Sequence, residues 1–289
     1  MDIIDTASMP WGESLVPQRS DDAYMAHKRL FEGDENSPDN YMLVLAREPN
    51  SYFSPRHRHP WDQVRYCLDG QIPIAKGLFV EGGEIAYFPE NTYYGPQEGG
   101  ENRHVLLLQF GGASGRGFIG PDRLKQARAE LAETGTFARG VYTRNKPNGG
   151  RINLDAYEAI WRHVKEEELS YQPMLFKTPT VMRPNAWSWQ STKVPGCSRK
   201  QIALFPHRAL AIDFYRLESS EHTQTCDADQ MRFLFVTEGA GELAGSTLTK
   251  TLTKGSAIRM LAGESATLST QSTLEYLCLS VGLIEPRWH

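Results

Sequence analysis

Two stretches of this 289-residue chain, about 40–112 and about 200–284, read as series of short β-type runs cut by Gly, Pro, Asn and Asp. In the first, runs over 41–45, 64–68, 72–75, 84–88 and 105–110 are separated by turn chemistry such as Asp69-Gly70 and Glu81-Gly82-Gly83. In the second, runs over 210–217, 232–236, 241–243, 257–261 and 274–281 are separated by Glu238-Gly239 and Lys254-Gly255. Many short strands recur at this spacing. They predict a sandwich or barrel, made twice.

The stretch between them follows another period. Pro121 to Thr134 lies between Gly120 and Gly135, with Leu124, Ala127 and Leu131 on one stripe, which predicts a helix. Leu154, Tyr157, Ile160, Trp161 and Val164 form a second helical stripe, with Asn153 or Asp155 as its cap. Lys146-Pro147-Asn148-Gly149-Gly150 between them is a loop. We therefore expect an arm over 1–39, a barrel over 40–118, a helical connector with linking strands over 119–199, and a second barrel over 200–289.

Composition narrows the function classes. A net charge of -4 without any Lys/Arg cluster gives no field for phosphates, so no nucleic-acid partner is expected. The apolar runs, such as 105–108, are strand-sized and too short to span a bilayer. Met1-Asp2-Ile3-Ile4-Asp5 has no basic segment followed by an apolar run, so the expected location is the cytoplasm. Cys67, Cys197, Cys226 and Cys278 are scattered and read as buried free thiols. No Gly-x-Ser-x-Gly elbow is present, which disfavours a serine hydrolase.

The chemistry concentrates at His57-Arg58-His59-Pro60-Trp61-Asp62-Gln63. On extended chain, His57 and His59 point to one face, and Gln63 and Arg65 alternate along the next strand. Two imidazoles with one oxygen donor form a ligand set for a divalent metal. Arg65 reads either as half of a buried ion pair or as a clamp for a substrate carboxylate.

These residues resemble the cupin superfamily. Its first motif runs His-x-His, three or four residues, Glu, six residues, Gly. Here it is His57, His59, three residues, Gln63, six residues, Gly70. Its second runs Gly, five residues, Pro-x-Gly, two residues, His. Here it is Gly83, five residues, Pro89-Glu90-Asn91, two residues, Tyr94. Gln63 removes a charge from the ligand set, and Tyr94 stands where the fourth ligand is expected. Tyr94 is a phenolate ligand, an acid or base, or the mark of an empty site; His104 is the alternative fourth ligand. Aligning Glu238-Gly239 with Asp69-Gly70 puts Cys226 and Ala228 at the histidine positions, Arg232 at that of Gln63 and Ala266 at that of Tyr94. The second barrel reads as degenerate and structural.

The resemblance implies an all-β bicupin: two tandem jelly-roll barrels with one divalent ion (Fe, Ni, Mn or Zn) on His57, His59 and Gln63. It implies a homodimer and an enzyme acting on a small oxygenated, polar or anionic molecule, with Tyr94 and Arg65 as catalytic residues. A dioxygenase is favoured over a non-oxidative isomerase, lyase or hydrolase. A metal-free binding barrel without catalysis is the reading from another class.

Overall fold

The computed structural model describes residues 1–12, 25–245 and 248–283. It divides the chain into two compact units. One is built on Trp11–Val181 and the other on Met1–Pro10 with the chain from Met182. The opening strand β1 (Asp2–Asp5) therefore belongs to the later unit.

The earlier unit holds β2 (Ala26–Glu32), β3 (Tyr41–Glu48), β4 (Trp61–Asp69), β5 (Gln71–Ala75), β6 (Leu78–Glu81), β7 (Ile85–Phe88) and β8 (Arg103–Gly111). Helix α1 (Pro121–Ala132), a small sheet of β9 (Thr136–Ala138), β10 (Val141–Asn145) and β11 (Arg151–Asp155), helix α2 (Ala156–Lys165) and β12 (Thr180–Met182) follow. The main sheet runs β12-β7-β4-β8-β3-β2, with β5 and β6 as a separate hairpin. β4 lies between β7 and β8, so its side chains have neighbours on both edges.

Both helices form where the stripes predict. Pro121 supplies a pre-set first turn for α1. The Asp155 carboxylate accepts the Tyr157 and Glu158 amides at 2.9 and 3.2 Å, capping α2. Leu154, placed in the helical stripe by sequence, is on β11 instead, because the Asp155 cap starts the helix after it. The helices are not a connector. Leu124, Ala127, Tyr157, Ile160 and Trp161 share one apolar cluster with Met42, Val44, Ala46 and Trp61 of the first barrel. Their stripes need burial, and the barrel's inner face supplies it.

The later unit holds β13 (Gln190–Ser191), β14 (Cys197–Phe205), β15 (Leu210–Glu218), β16 (Glu221–Thr225), β17 (Gln230–Ala244), β18 (Thr249–Thr253), β19 (Ser256–Met260), β20 (Ser265–Ser269) and β21 (Thr273–Gly282). Its main order is β1-β19-β17-β21-β15-β14-β13; β18 and β20 pair with β17, and β16 with β20. The expected boundaries at 39, 118 and 199 are thus corrected. β2 joins the first barrel, β1 the second, and the helices the first.

The register repeats between the units. β4 sits between β7 and β8 as β17 sits between β19 and β21. Each central strand bulges just before its turn glycine, at Cys67/Asp69 and at Val236/Glu238. Gly70 and Gly239 take φ of +74° and +80°, where a Cβ would strike backbone carbonyl oxygen, so only glycine serves there. Asn91, in the motif's glycine place, keeps the left-handed turn at φ +63°, which Asn tolerates. All four cysteines are free and buried, as expected. Burial pushes the Cys67 and Cys278 thiols up to about 12, so both are inert.

Candidate active site

The first barrel encloses a cavity of about 60 Å³. Its polar lining includes Ser54, His57, His59, Gln63, Arg65, Tyr94 and Gln97, and its apolar lining includes Met42, Val44, Trp61, Phe118, Leu124 and Tyr157. His57 and His59 stand on the extended segment before β4, where His57 bridges Tyr94 by backbone pairing. Their rings lie 5.1 Å apart, and His59 stacks on Trp61 at 4.4 Å. Gln63 and Arg65 share the inner face of β4, two positions apart.

The hydrogen bonds have a definite direction. Arg65 donates to the Tyr94 hydroxyl at 2.7 Å and twice to Gln63 Oε1, at 2.9 and 3.2 Å. Arginine cannot accept, so the Tyr94 proton points to His59 Nε2, 2.8 Å away. His57 Nδ1 meets the Pro55 carbonyl at 2.6 Å, which makes it the protonated nitrogen and puts the lone pair on Nε2. Gln63 Nε2 donates to Gln109 Oε1 at 3.3 Å. Glu48 also lines the cavity, but it is committed to Arg103 at 2.6 Å, and both side chains are buried.

Five of the six expected site residues therefore converge: His57, His59, Gln63, Arg65 and Tyr94. His104 does not. It sits at the start of β8, holds Asp69 at 2.6 Å, accepts from Arg47 at 2.9 Å and stacks near Trp11. Its place in the strand sends it away from the cavity lining, so it is withdrawn as a fourth ligand. Tyr87 hydrogen-bonds Asp62 at 2.8 Å and does not line the cavity. Sequence reading missed Gln97, Gln109 and Ser54. Gln97 belongs to a turn region with no periodicity, so nothing in the chain marked it as inward-facing.

No protein-family model matches the chain, and no curated protein matches it in sequence. Solved structures do match. A candidate dioxygenase from Nostoc punctiforme superposes with a TM-score of 0.62 at 9% identity, covering 99% of this chain and 84% of its own. Bacillus subtilis oxalate decarboxylase superposes with a TM-score of 0.54 at 12% identity, covering 98% and 77%. A cupin 2 conserved barrel domain protein from Leptotrichia buccalis gives 0.50 at 11% identity, covering 97% and 96%. These likenesses show the fold: two tandem barrels of the cupin type.

Bicupin architecture raises the question of a metal, and the side chains answer it in part. His57 has the tautomer of a ligand. Gln63 Oε1 and Tyr94 Oη, however, are both held by the guanidinium of Arg65, and His59 Nε2 is held by Tyr94. A divalent ion drawn to those oxygens would stand against a fixed cation. Among the described residues, no three His, Cys, Asp or Glu side chains form a metal-holding group. As arranged, the residues do not fit a four-donor centre. The cation at its place is Arg65.

The second barrel of this bicupin differs from its sequence alignment by two residues. Gln224 pairs with Ala266 as His57 pairs with Tyr94, and Cys226 accepts the Gly263 amide as His59 accepts that of Asn91. Gln224 and Cys226, not Cys226 and Ala228, therefore hold the two histidine positions. The loop before Arg232 is two residues longer than the one before Gln63, which a gapless alignment cannot show. A polar group fills this barrel too. Tyr276 meets His222 Nδ1 at 3.0 Å and Gln224 at 3.1 Å, while Arg232 donates to Gln224 at 2.9 Å. Burial, then Arg199 and Arg232, holds the His222 imidazole below its ordinary range, and burial pushes Tyr215 up to about 12.

Proposed function

We propose that the first barrel binds a small carboxylate-bearing molecule on Arg65 and moves a proton on it through Tyr94 and His59. One observation carries this. Arg65 is only 7% exposed, faces the cavity, and is held by the neutral groups of Gln63 and Tyr94. No carboxylate among the described residues pairs with it, since Glu48 is taken by Arg103. A buried cation without a counter-charge is costly, and a ligand carboxylate would offset that cost through charge-assisted hydrogen bonds to Nη1, the guanidinium nitrogen that Gln63 and Tyr94 leave open.

The proton chemistry follows from the hydrogen bonds. Arg65 favours negative charge on Tyr94 oxygen, and His59 accepts the proton that Tyr94 gives up. Tyr94 can then take a proton from a bound acid, or return one. Non-oxidative chemistry of this kind needs no metal from the site.

Calorimetric titration of the full chain with butyrate tests the reading. Saturable binding is expected in the parent, at least tenfold weaker in Arg65→Met. No saturable binding, or equal binding in the variant, would sink it. Proton transfer is read as solvent deuterium entering the carbon next to the carboxylate or carbonyl of a bound acid. Tyr94→Phe should slow that by about a hundredfold or more.

A second reading keeps a divalent metal and dioxygenase chemistry, as in the metal-dependent cupins. The Nε2 lone pair of His57 beside His59 favours it. It requires about one Fe, Ni, Mn or Zn per chain in protein purified without metal-affinity steps, lost in the His57→Ala, His59→Ala double variant. Cupin barrels also protect edge strands by pairing, so we propose a homodimer, which light scattering at micromolar concentration checks.

A further inference from the structure

Three donor groups line the first-barrel cavity: one cation held only by neutral acceptors and two donors with no acceptor at all. Arg65 is the first. The second is Gln97, 1% exposed, whose Nε2 has no hydrogen-bond partner. The third is Trp61, 6% exposed, whose Nε1 has none either. All three residues line the same cavity. Buried donors are satisfied in more than nine cases in ten, so two orphans at one cavity point to a ligand that brings acceptors. An apolar ligand would leave them unpaired.

Facing these polar groups, one wall of the cavity is apolar. Met42 and Val44 come from β3, and Phe118, Leu124 and Tyr157 from the helical insert. Met42, Val44, Phe118 and Leu124 carry no group that could serve a second charge, and the Tyr157 hydroxyl accepts the Ile119 amide at 3.2 Å. The volume, about 60 Å³, exceeds the roughly 10–15 Å³ that one water needs on the same measure, so it suits a molecule of a few heavy atoms. A dicarboxylate would drive its second charge into the apolar wall.

We infer that the ligand is a short-chain monocarboxylic acid carrying a second, neutral oxygen acceptor and an aliphatic tail, the chemistry of a 2-oxo or 2-hydroxy acid. Its carboxylate meets Arg65, its keto or hydroxyl oxygen is taken by Gln97 with Trp61, and its tail lies against Leu124 and Phe118. This rests on the carboxylate reading above and adds the acceptor and the tail to it. The insert thereby becomes the specificity element, and Gln97 a residue that selects the substrate.

The test is a calorimetric panel on the full chain: butyrate, 2-oxobutyrate, glyoxylate and succinate. We expect 2-oxobutyrate to bind about tenfold more tightly than butyrate, the worth of one added hydrogen bond, and more tightly than tail-less glyoxylate. Succinate should bind weakest. In Gln97→Leu the ratio of 2-oxobutyrate to butyrate affinity should fall about tenfold. In Leu124→Asp the preference for 2-oxobutyrate over glyoxylate should disappear. Equal affinity of the parent for butyrate and 2-oxobutyrate, or tightest binding by succinate, overturns the inference while Arg65-dependent binding keeps the carboxylate reading. If none of the four acids binds, the carboxylate reading itself has failed. The parent panel decides these points even where a variant does not fold.

Discussion

The two barrels spend the same four residue types differently. The first gathers His59, Gln63, Arg65 and Tyr94 around a cavity, and the second gathers His222, Gln224, Arg232 and Tyr276. In the first, arginine and glutamine stand two apart on the central strand, and the tyrosine comes from the second motif's turn. In the second, histidine and glutamine stand two apart on β16, arginine is on the central strand, and the tyrosine is on β21. Arg232 also has Asp227 at 3.8 Å, whereas Arg65 has no acidic partner among the described residues. Residue types alone do not make a site; the charge left uncompensated beside a cavity does.

Three experiments sharpen or break that contrast. The largest effect concerns the ion pairs behind each group. Arg103 and Glu48 are 0% and 7% exposed, while Arg199 and Asp213 are 37% and 6% exposed. Arg103→Leu strands Glu48 in the first barrel and should cost about 3–5 kcal/mol in denaturant unfolding. Arg199→Leu should cost less, because Arg199 itself is partly exposed and burial already raises Asp213 toward its neutral form, which needs no cation. Equal losses would mean that the barrels do not differ in how their charges are buried.

The arginines at the two centres come next. Arg65→Met should weaken carboxylate binding by roughly ten- to a hundredfold, the range of a charge-assisted contact. Arg232→Met should leave that affinity where it was and lower the melting temperature, since it strips Gln224 Oε1 of its donor. If Arg232→Met abolishes carboxylate binding and Arg65→Met does not, the working barrel has been assigned to the wrong half.

The smallest effect is a pH slope. His222 is depressed below its ordinary value of 6.5, by burial first and by Arg199 and Arg232 after it. The unfolded chain therefore takes up the proton first as pH falls. Stability contributed by the neutral imidazole is present above about pH 6.5 and is lost on acidification toward the lower folded value. Thermal melts between pH 7.5 and 5.5 should show that loss, and His222→Asn should flatten it. His207, also depressed by burial, supplies part of the remaining slope.

Much of the first barrel was legible because its signals are local. The period-two runs, the Asp69-Gly70 turn and the His57-x-His59 pair each declare themselves within a few residues. His57, His59, Gln63, Arg65 and Tyr94 follow from them and do converge. What escaped is set by tertiary partners. Gln97 faces inward only because of how its turn folds back. The helical stripes showed that an apolar surface must be covered, but not by which barrel. The two extra residues before Arg232 moved Gln224 and Cys226 into register, and only strand pairing reveals an insertion that leaves both flanking motifs intact. His104 misled because a histidine next to a strand says nothing about which face it takes.

The pairing of β1 with β19 has a consequence for timing. Arg259 holds Asp2 across 257 positions of sequence. At about 5–20 residues per second, the ribosome releases the first of these residues roughly ten to fifty seconds before the second exists. During that interval the whole of Trp11–Val181 can be made and can fold. The first ten residues must stay free of it, and of other chains, until their edge appears. Asp2 and Asp5, exposed at the two ends of that strand, suit such a wait, since charge on a lone strand discourages premature pairing.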